Sequence, residues 1–119
     1  MKRAPRSFFL GMRASARFGR AVKLRDAGNK EAALKVAREA LAILSHPHVV
    51  RFSAGPGSVL AGATVLVEEL ASQLGVPGAG HTDLVDSLRF IRAAGSNTDF
   101  APWVPYLEQR VAHETKGAA

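Results

Sequence analysis

The sequence predicts an all-α fold of about five helices, a two-helix hairpin packed on a small helical bundle. Three observations predict it. Apolar residues recur at helical spacing in successive stretches, as one buried face of each helix requires. Gly, Asn and Pro punctuate the chain between those stretches. No stretch keeps the period-two alternation of a half-buried strand.

The first helix is expected over residues 7–27, with Phe8, Met12, Phe18 and Val22 on one side and Arg13, Arg17 and Arg20 opposite. Gly28 and Asn29 break it: glycine suits the left-handed residue that closes a helix, and asparagine caps the next. The second helix is expected over Lys30–Leu44, with Glu31 complementing the dipole of its first turn. Ser45-His46-Pro47 ends it, because the residue before a proline avoids helical angles. Residues 49–57 read as a connector closed by Gly55-Pro56-Gly57. Ser58 is then expected to cap a third helix reaching Leu74, with Val59, Ala63, Leu66, Leu70 and Leu74 on one face. After the turn-rich GVPGAG of residues 75–80, Thr82 is expected to cap a fourth helix that shows Leu84, Leu88 and Ile91 and closes at Gly95. Pro102 and Pro105 are tolerated only near a helix start. The last helix is therefore expected from about Val104 to Glu114.

The 119 residues, 47 % of them apolar, suffice for one folded domain. That domain is expected over residues 14–115, with a disordered tail at 116–119. Residues 1–25 form a basic segment continuous with the first helix. They carry eight Lys or Arg side chains and no acid, against eight basic and ten acidic residues in the remainder. Such asymmetry points to an acidic partner: a protein surface or larger assembly, nucleic acid or an anionic lipid surface. The chain has no cysteine, which excludes disulfides, thiolate metal sites and a thiol nucleophile. No apolar run nears the roughly 20 residues of a membrane span. The start also lacks the long apolar core of a secretory signal. A cytoplasmic protein is the expectation.

Residues 14–47, including ALKVAREALAIL at 33–44, resemble a tetratricopeptide repeat. Ala21 stands at the small position of the first helix and Leu24 at a large apolar one. Gly28 matches the turn glycine, Ala33 and Ala40 the small positions of the second helix, and Leu41 the apolar residue that follows. Arg17 and Arg20 depart from the pattern, standing where the family has aromatic residues or leucine. The resemblance implies close helix packing through Ala21, Leu24, Gly28, Ala33, Ala40 and Leu41, and a role in protein assembly. One repeat cannot bury its own apolar face. Helices three to five or another chain must cover it, so self-association is also an expectation.

Glu69–Gly95 resembles a helix-turn-helix of winged-helix regulators, with Ala71, Gly75 and Val76 at the turn and Leu84, Val85 and Leu88 on the second helix. That resemblance implies base-reading side chains within Gly78-Ala79-Gly80-His81-Thr82-Asp83. Ser45–Phe52 (SHPHVVRF) is similar to a passage of protein kinases, but neither H-R-D nor D-F-G follows it. His46 and His48 form an H-x-H without a third ligand at a recognisable spacing. Gly55-Pro56-Gly57-Ser58 has the form of an anion-holding turn before a helix but lacks the lysine of a phosphate loop. No nucleophile, base and acid can be grouped by spacing, so no catalytic, cofactor or metal site is expected. The expected role is a non-enzymatic interaction or assembly subunit. Its partner-binding residues are Phe8, Phe9 and Met12 as apolar anchors and Arg13, Arg17 and Arg20 as the charged row. The alternative is a nucleic-acid-binding protein that uses the basic segment or the helix-turn-helix-like stretch.

Overall fold

The computed structural model describes residues 6–47, 49, 51, 54–95 and 99–118, with side chains described between 8 and 113 apart from residue 54. Among the described residues there are five α-helices and no strand. They are α1 (Arg6–Asp26), α2 (Lys30–Leu44), α3 (Ala54–Leu74), α4 (His81–Ala94) and α5 (Val104–Ala118). A 3-10 turn over Ala101–Trp103 leads into α5.

The hairpin of α1 and α2 is set by two adjacent residues. Gly28 takes φ 85°, and Asn29 N–H donates to Leu24 O at 2.9 Å. The Asn29 side chain then accepts from Ala32 N at 3.3 Å and so caps α2. Between the two helices lie Ala14, Ala21, Ala33, Ala37 and Ala40, all fully buried. Side chains this small let the two backbones approach closely.

α3 is the centre of the molecule. It packs against α1 and α2 on one side and α4 on the other. Every residue from Leu60 to Glu68 is buried. A helix that is apolar all round belongs in a core, and each fully buried leucine here contributes about 2 kcal/mol. The expected single face of Val59, Ala63, Leu66, Leu70 and Leu74 is therefore too narrow. Leu60, Ala61, Val65, Val67 and Ala71 are buried as well, while Val59 and Leu74 are only half-buried.

α3 also starts at Ala54, four residues before the expected Ser58 cap. The first four N–H groups of a helix have no intrahelical partner, so Pro56 costs nothing there. Gly57 serves packing rather than a turn: a Cβ on it would fall inside the Phe90 ring. The connector expected to close at Gly55-Pro56-Gly57 thus ends earlier, because these residues are helix.

α4 begins one residue before Thr82. Gly80, extended at φ −70° and ψ 162°, is its N-cap, without a side-chain bond. Leu84 and Ile91 are fully buried and Leu88 nearly so. Helical backbone in α5 runs to Ala118, past the expected end at Glu114 and through most of the expected tail at 116–119. Among the described residues, no helix is long and apolar enough to cross a membrane.

Candidate docking surface

α1 shows two faces with different chemistry. Leu10, Ala14, Phe18 and Ala21 face the core. Phe8, Phe9 and Met12 do not. They are 55 %, 55 % and 56 % exposed, the most exposed large apolar side chains among the described residues. The expected side of Phe8, Met12, Phe18 and Val22 is thus divided. Phe18 and Val22 pack on the core, whereas Phe8 and Met12 turn outward. At 100° per residue, Phe8 and Met12 lie about 40° apart and face away from Ala14 and Ala21. The Phe8 and Phe9 rings meet edge to face, with centroids 5.7 Å apart.

The arginines continue from this apolar end along the helix. Arg13 and Arg20 are exposed and Arg17 is half-buried at the border of the core face. With Ala16 they line a hollow of about 320 Å³. No ion pair to these arginines occurs among the described residues, whereas Arg25, a turn further on, engages Asp26 at 3.1 Å and Glu69 at 3.4 Å. The six side chains expected to bind a partner therefore do not share one face: at 100° per residue Phe8, Met12 and Phe9 span one sector of α1, Arg20 and Arg13 the next, and Arg17 stands about 180° from Phe8 at the border of the core face. The basic residues Lys2 and Arg3 and the side chain of Arg6 lie outside the described residues.

The residues expected to pack the hairpin lie elsewhere on α1 and α2. Ala21, Ala33 and Ala40 are fully buried, Leu41 is 5 % exposed, and Leu24 is half-buried against the core. Gly28 is exposed at the turn.

Two polar clusters were not legible in the sequence. The first surrounds Glu68, which is 2 % exposed in the middle of α3. Its Oε2 accepts from Ala79 N at 2.8 Å. Its Oε1 accepts from Arg110 Nε at 2.5 Å and from the Tyr106 hydroxyl at 3.4 Å. Burial pushes the Tyr106 phenol up, and the Glu68 charge adds to the shift. The second surrounds Arg51, between α2 and α3. Its guanidinium bonds Asp83 and reaches Asp86 Oδ2 at 3.1 Å, while its Nε is buried without a partner. Both clusters bracket elements together: α3 to the 75–80 loop and α5, and Arg51 to α4.

The second cluster bears on the helix-turn-helix-like stretch. His81 and Thr82 are exposed at the start of α4, but Asp83 beside them is held by Arg51. Arg38 of α2 donates to Pro77 O at 2.5 Å, so the preceding loop is tied to α2. Of the H-x-H pair, His46 lies in the turn after α2 and His48 lies outside the described residues. No group of three or more His, Cys, Asp or Glu side chains that could hold a metal occurs among the described residues.

No protein-family model matches the chain, and neither a curated protein nor a solved structure matches it.

Proposed function

We propose that this chain is a non-enzymatic interaction or assembly subunit that docks an acidic partner through the outward side of α1. One observation carries the reading. Three exposed large apolar side chains fill one sector of α1 and Arg20 and Arg13 the adjacent one, with Arg17 at the core border, on a helix whose remaining face is built into the core. Exposing three large apolar side chains side by side is unfavourable for an isolated molecule, and such patches mark interaction sites. The arginine row supplies attraction at a distance, and Phe8, Phe9 and Met12 supply burial on contact.

The likeness of residues 14–47 to a tetratricopeptide repeat belongs to the same proposal. The buried alanines of α1 and α2 fit it, and α3 then covers the face that further repeats would cover. The second reading, nucleic acid held by the same row, is favoured by the three-arginine hollow. It leaves Phe8, Phe9 and Met12 without a task.

The test passes the full chain over immobilised polyglutamate at low and high salt, beside the triple variant Arg13→Gln, Arg17→Gln, Arg20→Gln. Retention that falls with salt and is lost in the variant is expected. Equal behaviour of the two proteins refutes the proposal.

A further inference from the structure

We infer that the acidic partner of α1 is an anionic lipid surface. Phe8, Phe9 and Met12 enter the boundary between headgroups and acyl chains, and Arg13, Arg17 and Arg20 hold lipid phosphates. The inference rests on the reading of α1 as a docking surface and adds what it docks.

The first argument is area. At 55 % exposure each ring offers on the order of 100 Å², and the three apolar side chains roughly 300 Å². A specific protein interface takes about 800 Å² from each partner, more than half of it apolar. The patch is small for a folded protein. It is sufficient for shallow insertion, where charge supplies the rest of the binding.

The second argument is shape and order along the helix. Phe8, Phe9 and Met12 project from a convex helix surface. The rise of about 1.5 Å per residue places Arg20 about 12 Å beyond Met12. The polar layer of one leaflet is about 5–8 Å thick. A tilted α1 therefore puts its rings beneath the headgroups while the arginines extend along that layer to the phosphates. The hollow of about 320 Å³ lined by Arg13, Ala16, Arg17 and Arg20 has room for a phosphate.

The third argument is charge. Residues 1–25 hold eight basic side chains and no acid, so all of this end of the chain is drawn to an anionic leaflet. The same charge opposes a second copy, which would bring two arginine rows together. Attachment is peripheral, because no helix among the described residues can span the bilayer.

The test is co-sedimentation of the full chain with vesicles of phosphatidylcholine alone and of phosphatidylcholine mixed with phosphatidylglycerol. Duplex DNA and immobilised polyglutamate serve as further acidic probes. Two variants accompany it: Arg13→Gln/Arg17→Gln/Arg20→Gln, and Phe8→Ser/Phe9→Ser/Met12→Ser. Five of the six positions are exposed and Arg17 is half-buried, and circular dichroism and thermal unfolding verify that both variants fold. Binding to the mixed vesicles at least about tenfold above the neutral ones is expected. The arginine variant should lose about a hundredfold, from three basic contacts. The apolar variant should lose at least about tenfold. Vesicle binding that survives both variants overturns the inference. So does arginine-dependent binding to polyglutamate or DNA without vesicle binding, an outcome that leaves the docking role intact. If none of the acidic probes binds, the inference and the docking role both fall.

Discussion

Arg110 Nε donates to Glu68 Oε1 at 2.5 Å, and this bond joins the last helix to the middle of the central one. The Glu68 side chain is 1 % exposed, and that of Arg110 is 21 %. Removing one partner of such a pair leaves a buried charge uncompensated, which costs about 3–5 kcal/mol. Arg110→Ala is therefore expected to destabilise the fold by about 3 kcal/mol in urea unfolding. Glu68→Gln removes the charge but keeps the shape, and should cost about half as much.

Tyr106 predicts a pH effect. Its phenol ionises above the ordinary value of 10.0, first because of burial and then because of Glu68. A group whose folded value is raised adds stability that is full below the unfolded value. That stability is lost as pH climbs through the folded one. Unfolding midpoints should therefore fall above pH 10.0, and fall less in Tyr106→Phe. Tyr106 is the single tyrosine, so its ultraviolet titration is unambiguous. Glu68→Gln should move that titration down.

Gly62 separates helix propensity from packing. An exposed Gly→Ala change inside a helix gains about 1 kcal/mol. At Gly62 the new Cβ would stand 2.6 Å from Phe18 Cζ, where α1 crosses α3. Phe18 is half-buried and packed against the core, so its ring must shift to admit the new Cβ. Overpacking of this kind costs about 1–3 kcal/mol. Gly62→Ala is therefore expected to destabilise, whereas Gly19→Ala, with nothing within 4 Å, should stabilise. Chemical denaturation of the two variants reads both signs.

Arg51 holds Asp83 and Asp86 together at the start of α4. The two carboxylates are 19 % and 15 % exposed, so neither is well solvated once Arg51 is gone. Arg51→Ala is expected to cost about 2 kcal/mol. Asp83→Asn/Asp86→Asn in the same background should recover part of it, as a double-mutant cycle measures.

The sequence revealed elements whose causes are local. Gly28 and Asn29 end α1 and start α2 by their own backbone and side-chain preferences, and both boundaries were legible. The start of α3 was not. Gly55-Pro56-Gly57 has the composition of a turn, and the reason for Gly57 is Phe90, distant in sequence. The burial of α3 on every side follows from helices packing on both flanks, which periodicity along one helix does not reveal. The six residues proposed to dock could be selected from charge and composition. Which of them stay exposed required α2 and α3, because these decide which face of α1 is covered. Glu68 gave one faint signal, a carboxylate at the end of a long apolar run. Its partners Ala79, Tyr106 and Arg110 come together only in the folded chain.

The central claim is that α1 uses one side to fold and the other to dock. The most direct measurement uses one variant carrying all six changes: Phe8→Ser, Phe9→Ser, Met12→Ser, Arg13→Gln, Arg17→Gln and Arg20→Gln. Its thermal unfolding and its retention on acidic probes are compared with the parent chain. Positions away from the core change stability by about 0.5 kcal/mol or less each, about 3 kcal/mol at most for the six, so the midpoint should fall by no more than roughly 15 °C and unfolding stay cooperative while retention disappears. A collapse of the midpoint would show that these side chains hold the fold, and retention at the parent level would show that they do not dock; either result contradicts the account.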